Sequence, residues 1–150
     1  MRSFPVKTVI VPTVAAVLSI FLTAIAANAL PAALVRAAVD IEVSETTLAQ
    51  AGTFQFLGFF VAVIAGAVIA DWHGMRMVLV AGCMFTVLGG VVWSVAASVG
   101  IAWLAASLLG MGGGVLEGLS SVVLAHLFSK RRKLVLNLSQ IFFCIGAVGG

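Results

Sequence analysis

Along this chain the apolar positions do not recur at the spacing of a surface helix or strand; they run together in long blocks. Residues 8–39 form the first block, 48–70 the second, 77–97 the third, 101–128 the fourth and 134–150 the fifth. A helix needs about 20 apolar residues to cross a hydrocarbon layer of roughly 30 Å. The pattern therefore predicts five transmembrane helices joined by short loops. Asp40, Glu42 and Glu45 interrupt the chain after the first block, and Ser44, Thr46 and Thr47 offer N-caps for the second helix. Asp71-Trp72-His73-Gly74-Met75-Arg76 closes the second block, and Gly74 supplies the positive φ that a tight reversal needs. Ser98-Val99-Gly100 predicts the next turn, and Ser129-Lys130-Arg131-Arg132-Lys133 a basic loop before the fifth helix. Pro12 and Pro31 are kink positions in the first. The last block spans only ~25 Å at helical rise and meets no polar or aromatic anchor, so it reads as a helix cut short at Gly150.

Composition turns this pattern into a statement about solvent. Apolar residues make up 63% of the chain and charged residues 9%, with a mean hydropathy of +1.26. Soluble domains carry about a quarter charged residues, because their surfaces face water. Too few charges are present here to cover such a surface, and the solvent is lipid. The first block begins like a secretory signal, with Arg2 and Lys7 ahead of it and Ala27-Asn28-Ala29 resembling a cleavage site. A signal core is about 7–15 residues; this block is far longer, which favours a retained span.

The net charge of +3 follows membrane topology rather than a nucleic-acid face. Arg2, Lys7, Arg76, Lys130, Arg131, Arg132 and Lys133 fall on one side when alternate loops are grouped, and Arg36 alone on the other. Basic residues in short loops stay cytoplasmic, so the N-terminus is expected in the cytoplasm of a cell (inner or plasma) membrane, multi-pass. Cys83 and Cys144 lie in separate apolar blocks without metal-ligand spacing, and read as packing residues.

Three polar features interrupt the apolar blocks. Glu117 stands deep in the fourth, with Gly110, Gly113, Gly114 and Ser121 at helical neighbour positions. A carboxyl there is costly and marks an ion or substrate pathway; the competing reading makes the glycines helix-packing positions and Glu117 structural glue. Asn137 and Gln140, with Cys144 a turn later, share one face of the fifth helix; such amides either bond other helices or line a hydrated cavity. Asp71, Gly74 and Arg76 form the third feature, with Asp71 placed to pair with Arg76 or a helix N-terminus. His73 and His126 read as interfacial. The glycines at 110–114 follow no strand, which excludes a phosphate loop. No nucleophile–base pair, metal set or cofactor motif stands out, so neither an enzyme nor a cofactor is expected.

Together these features resemble the major facilitator superfamily. Residues 66–76 are similar to its signature loop, G-x-x-x-D-[RK]-x-G-[RK]-[RK]: Asp71, Gly74 and Arg76 match, while Ala67 occupies the glycine position and Trp72 and Met75 replace basic residues. Gly112-Gly113-Gly114-Val115-Leu116-Glu117 and Leu136-Asn137-Leu138-Ser139-Gln140, with Phe143 to Ala147, resemble helices four and five of fucose-permease-type sugar–proton symporters. Those symporters carry a helix-one aspartate shortly after an Ala-Asn pair; aligning Ala27-Asn28 puts Ala32 there. Phe143 stands where some members have a cavity asparagine.

The resemblance implies an all-α integral membrane fold, with residues 1–150 forming the N-terminal helical bundle of a major facilitator transporter, truncated in helix five. It implies a sugar-like solute and protons as partners, beside the bilayer and a missing C-terminal half. Glu117 would couple protonation to binding, Gln140, Asn137 and Asn28 would bind substrate, and Asp71, Gly74 and Arg76 would form a cytoplasmic gate. A facilitator-fold carrier of a carboxylate, nitrate or drug, and a small non-transporting scaffold or partner protein, are the alternatives. Two outcomes follow. Reporter fusions at Gly100 and Arg132 should report opposite sides, with Arg132 cytoplasmic; equal or reversed signals overturn the topology. The 150-residue chain alone in liposomes should show no solute uptake above empty vesicles, and saturable uptake would contradict the truncation.

Overall fold

The computed structural model describes residues 6–40 and 43–149, and within them leaves the side chains of 6–9, 29–32, 34–40, 45 and 149 undescribed. Arg2 and Glu42 lie outside the described residues, as do the side chains of Lys7, Ala29, Pro31, Ala32, Arg36, Asp40 and Glu45. The described chain is helical: α1 (Val6–Asp40), α2 (Glu45–His73), α3 (Met75–Ser94), α4 (Val99–Leu127) and α5 (Arg132–Gly149), with a short 3-10 turn (Ser129–Arg131) leading into α5. The segments Ile10–Asn28, Thr46–His73, Met75–Ser94 and Val99–Leu127 are long and apolar enough to cross a membrane. The chain is thus a membrane protein in which, among the described residues, four helices have spanning length, and α5 is an 18-residue helix beside them.

Local chemistry explains the helix ends. Ser44 has extended backbone and its side chain accepts a hydrogen bond from the Thr47 amide, starting α2 as expected. Gly74 alone separates α2 from α3, with φ 87° and ψ 145°, a region held essentially by glycine; its amide closes the last turn of α2 on the Ala70 carbonyl at 2.9 Å. The next turn differs from expectation. The third helix stops at Ser94 rather than 97, the turn covers 95–98, and Gly100 lies in the first turn of α4. The Ser94 hydroxyl donates back to the Val91 carbonyl at 2.7 Å, and Ser98 adopts the extended N-cap conformation whose carbonyl accepts from Ala102. These polar brackets set the turn, whereas Gly100 has no conformational demand on it. The basic loop is tighter than expected too, since Arg132 and Lys133 already belong to α5. The helix α1 continues through positions 12 and 31.

Helix α4 is the hub, in contact with all four others. Half of its span (50%) is buried inside the bundle, against 17–22% for the other three spans. On one side Val115 and Leu119 pack with Ala62 of α2 and Val78 of α3. On the other, Leu124 packs with Ala16 and Ile20 of α1, joined by Val135 and Phe143 of α5. The outer faces of α2 and α3 carry exposed Leu57, Phe60, Ile64, Met84, Val87 and Val91, the lipid-facing surface.

Glycines let the hub form. A Cβ at Gly110 would run into the Gln55 carbonyl of α2, one at Gly114 into the Phe59 carbonyl, and one at Gly112 into Thr86 of α3. Lipid tails are as apolar as the helices, so association depends on close backbone packing of this kind. The glycine content near Glu117 therefore belongs largely to helix packing. Gly110→Ala and Gly114→Ala should each lower stability by about 1–3 kcal/mol, the usual cost of forcing a methyl into a packed site. Gly90→Ala and Gly100→Ala, where nothing lies within 4 Å, should leave it unchanged or slightly raised. Unfolding of the purified protein in mixed micelles measures both pairs.

Candidate functional site

The five helices enclose a cavity of ≈ 520 Å³. Its polar lining comes from Thr23 and Asn28 of α1, Gln55 of α2, Thr86 of α3 and Glu117 of α4. Phe56 and Phe59 of α2 and Phe143 of α5 supply aromatic surface, and small residues such as Ala27, Gly52 and Gly113 keep the space open. The volume falls within the range of small-molecule sites, which are largely apolar with a few placed polar groups.

Glu117 is half-buried and sits some 6 Å past the middle of α4 toward its C-terminal end, at 1.5 Å per residue. Among the described residues it has no hydrogen bond or ion pair. Gly113, one turn earlier, faces α1 closely enough that a Cβ there would meet Thr23 Cγ2 at 3.1 Å. Thr23 is 7% exposed, and its hydroxyl has no hydrogen-bond partner among the described residues. The Asn28 amide nitrogen donates to the Ala24 carbonyl at 2.9 Å, which leaves its side-chain carbonyl as an acceptor. Thr86 donates its hydroxyl to the Gly82 carbonyl at 3.0 Å. Gln55 makes no hydrogen bond among the described residues. A carboxyl, an amide, an amide carbonyl and a hydroxyl thus converge without protein partners, and buried polar groups are otherwise almost always paired.

The structure brings Glu117 and Asn28 to one site and puts the α5 amides elsewhere. Asn137 and Gln140 are exposed, and Gln140 lines a separate hollow of ≈ 450 Å³ with Ile141, Cys144, Ile145 and Val148 on the outer side of α5. The helix-five residue that reaches the cavity is Phe143. Asp71, Gly74 and Arg76 gather at the α2–α3 turn, where Asp71 and Arg76 are both exposed. No ion pair joins them among the described residues. Asp71 belongs to the last turn of α2 rather than the loop beyond it.

Sequence reasoning missed Thr23, Gln55 and Thr86. Gln55 carried a usable signal, because it is an amide inside the second apolar block, the same argument that singled out Asn137 and Gln140. Thr23 and Thr86 carried none, since a threonine in an apolar helix can satisfy its hydroxyl on a carbonyl one turn back, which Thr86 does and Thr23 does not. Compared with protein-family models, curated proteins and solved structures, the chain matches none.

Proposed function

We propose that the chain forms the solute-binding helical bundle of a secondary transporter, with the N-terminus cytoplasmic, in which protonation of Glu117 is coupled to binding of a small polar solute. The observation that carries this reading is the convergence of an unpartnered carboxyl with Asn28, Gln55 and Thr23 on a cavity between membrane-length helices. Intramembrane carboxyls with such surroundings mark ion and substrate pathways. A sugar is the solute class implied by the resemblance to fucose-permease-type symporters, and the amides and hydroxyl suit a solute with hydroxyl groups.

The chemistry makes and breaks no covalent bond beyond the O–H of Glu117. Taking up a proton removes a charge from an apolar cavity, and this alters both solute affinity and the balance between two arrangements of the bundle. In facilitator transporters two halves rock around a midplane site. In this reading Gln140 and Asn137 join the site when a C-terminal half packs on the outer face of α5. The turn of Asp71, Gly74 and Arg76 acts as the cytoplasmic gate, its lone glycine keeping α2 and α3 coupled.

Glu117→Gln preserves shape and hydrogen bonding while holding the neutral form. Vesicles from cells expressing the variant should keep solute exchange but lose accumulation driven by an imposed proton gradient. If the variant accumulates solute like the parent, Glu117 is structural glue. If the parent accumulates nothing under any gradient, the scaffold reading replaces transport.

A further inference from the structure

The reading above leaves the charge of the solute open, and the cavity bears on it directly. No Lys, Arg or His is found among its described lining residues. The charged and imidazole groups described on the helices around Glu117 stand at helix termini and are exposed: Asp71 and His73 on α2, Arg76 on α3, His126 on α4, Arg132 and Lys133 on α5; the mid-helix thiols Cys83 of α3 and Cys144 of α5 are exposed and do not line the cavity. Glu117 lies ten residues before the end of α4, roughly 15 Å along the axis. Among the described lining residues it is the lone formal charge, on a wall that also holds Phe56, Phe59 and Phe143.

That combination selects by charge. A carboxylate, nitrate or phosphate solute would meet Glu117 with no cation among the described lining residues to offset the repulsion. A neutral polyol would leave the ionised carboxylate uncompensated in an apolar wall unless a proton came with it. An organic cation supplies the missing charge, and its attraction to aromatic rings strengthens once both are desolvated. Thr23, buried and without a partner, and the unpaired Gln55 amide add a place for a hydroxyl. We propose that this cavity binds a small organic cation bearing a hydroxyl group, with its cationic centre at Glu117 among the phenylalanines and its hydroxyl at Thr23. The proposal rests on the transport reading for the role of the cavity.

Choline and 3,3-dimethyl-1-butanol test it, because they share a shape and a hydroxyl and differ in charge. Equilibrium binding of each to the purified protein in detergent at pH 8, with L-fucose as a third probe, reads the preference. Choline should bind at least about tenfold more tightly than its neutral isostere. Glu117→Gln should bring the two within about twofold, and Glu117→Asp, which keeps the charge, should preserve the preference. The parent's own choline-to-isostere ratio needs no variant, so poor folding of Glu117→Gln does not remove the test. Equal binding of the two probes, no choline binding, or a preference that survives in a folded Glu117→Gln overturns the proposal. Binding of L-fucose without choline overturns it too and leaves transport in place. A choline preference in a protein that accumulates nothing supports the cation site and overturns transport.

Discussion

The close approach of α4 to the backbones of α2 and α3 is the constraint on which the other features depend. Gly110 and Gly114 lie against the carbonyls of Gln55 and Phe59, and Gly112 lies against Thr86. In water such a contact would be one contribution beside hydrophobic burial. In lipid the burial term between helices is nearly absent, so the fit of the surfaces decides which helices pair. Two further glycines reinforce the same arrangement: a Cβ at Gly58 of α2 would meet the Ser107 carbonyl, and one at Gly82 of α3 would lie 2.7 Å from Val115.

The site is a by-product of this packing. Residues 112–114 place successive glycines toward α3, α1 and α2, so one short stretch of α4 touches three helices through its backbone. No α4 side chain fills the space above Gly113, and Thr23 and Glu117 border the same opening. Two packed units share α4, one with α2 and α3 and one with α1 and α5. The cavity opens where they meet. A carboxyl on the shared helix thus borders both units.

The membrane surface follows different rules. The outward residues of α2 and α3 are large and apolar, and they require only hydrocarbon as a neighbour. Polar termini stop this surface at each end: Ser44 caps α2, Ser98 begins α4, and Gly74 turns the chain in a single residue. The stacked Phe54 and Trp103 rings, 4.9 Å apart, join α2 to α4 near the end opposite that turn, so this helix pair is held along its length.

The sequence by itself determined that the chain is helical and lies in a membrane, where most helices begin and end, and which residue carries charge into the apolar zone. Those are properties of composition and local backbone: apolar block length, the Ser44 cap, the positive φ of Gly74, the solitary Glu117. The family resemblance pointed to Asn28, which lines the same cavity as Glu117. Tertiary structure alone decided which faces meet. Helices α1 to α4 are apolar nearly all round, so little in their periodicity says which way each is turned. Rotation came instead from backbone contacts between residues distant in sequence. For that reason Gln55, Thr23 and Thr86 joined Glu117, Phe143 took the α5 position in the cavity, and Asn137 and Gln140 came to lie on the outside.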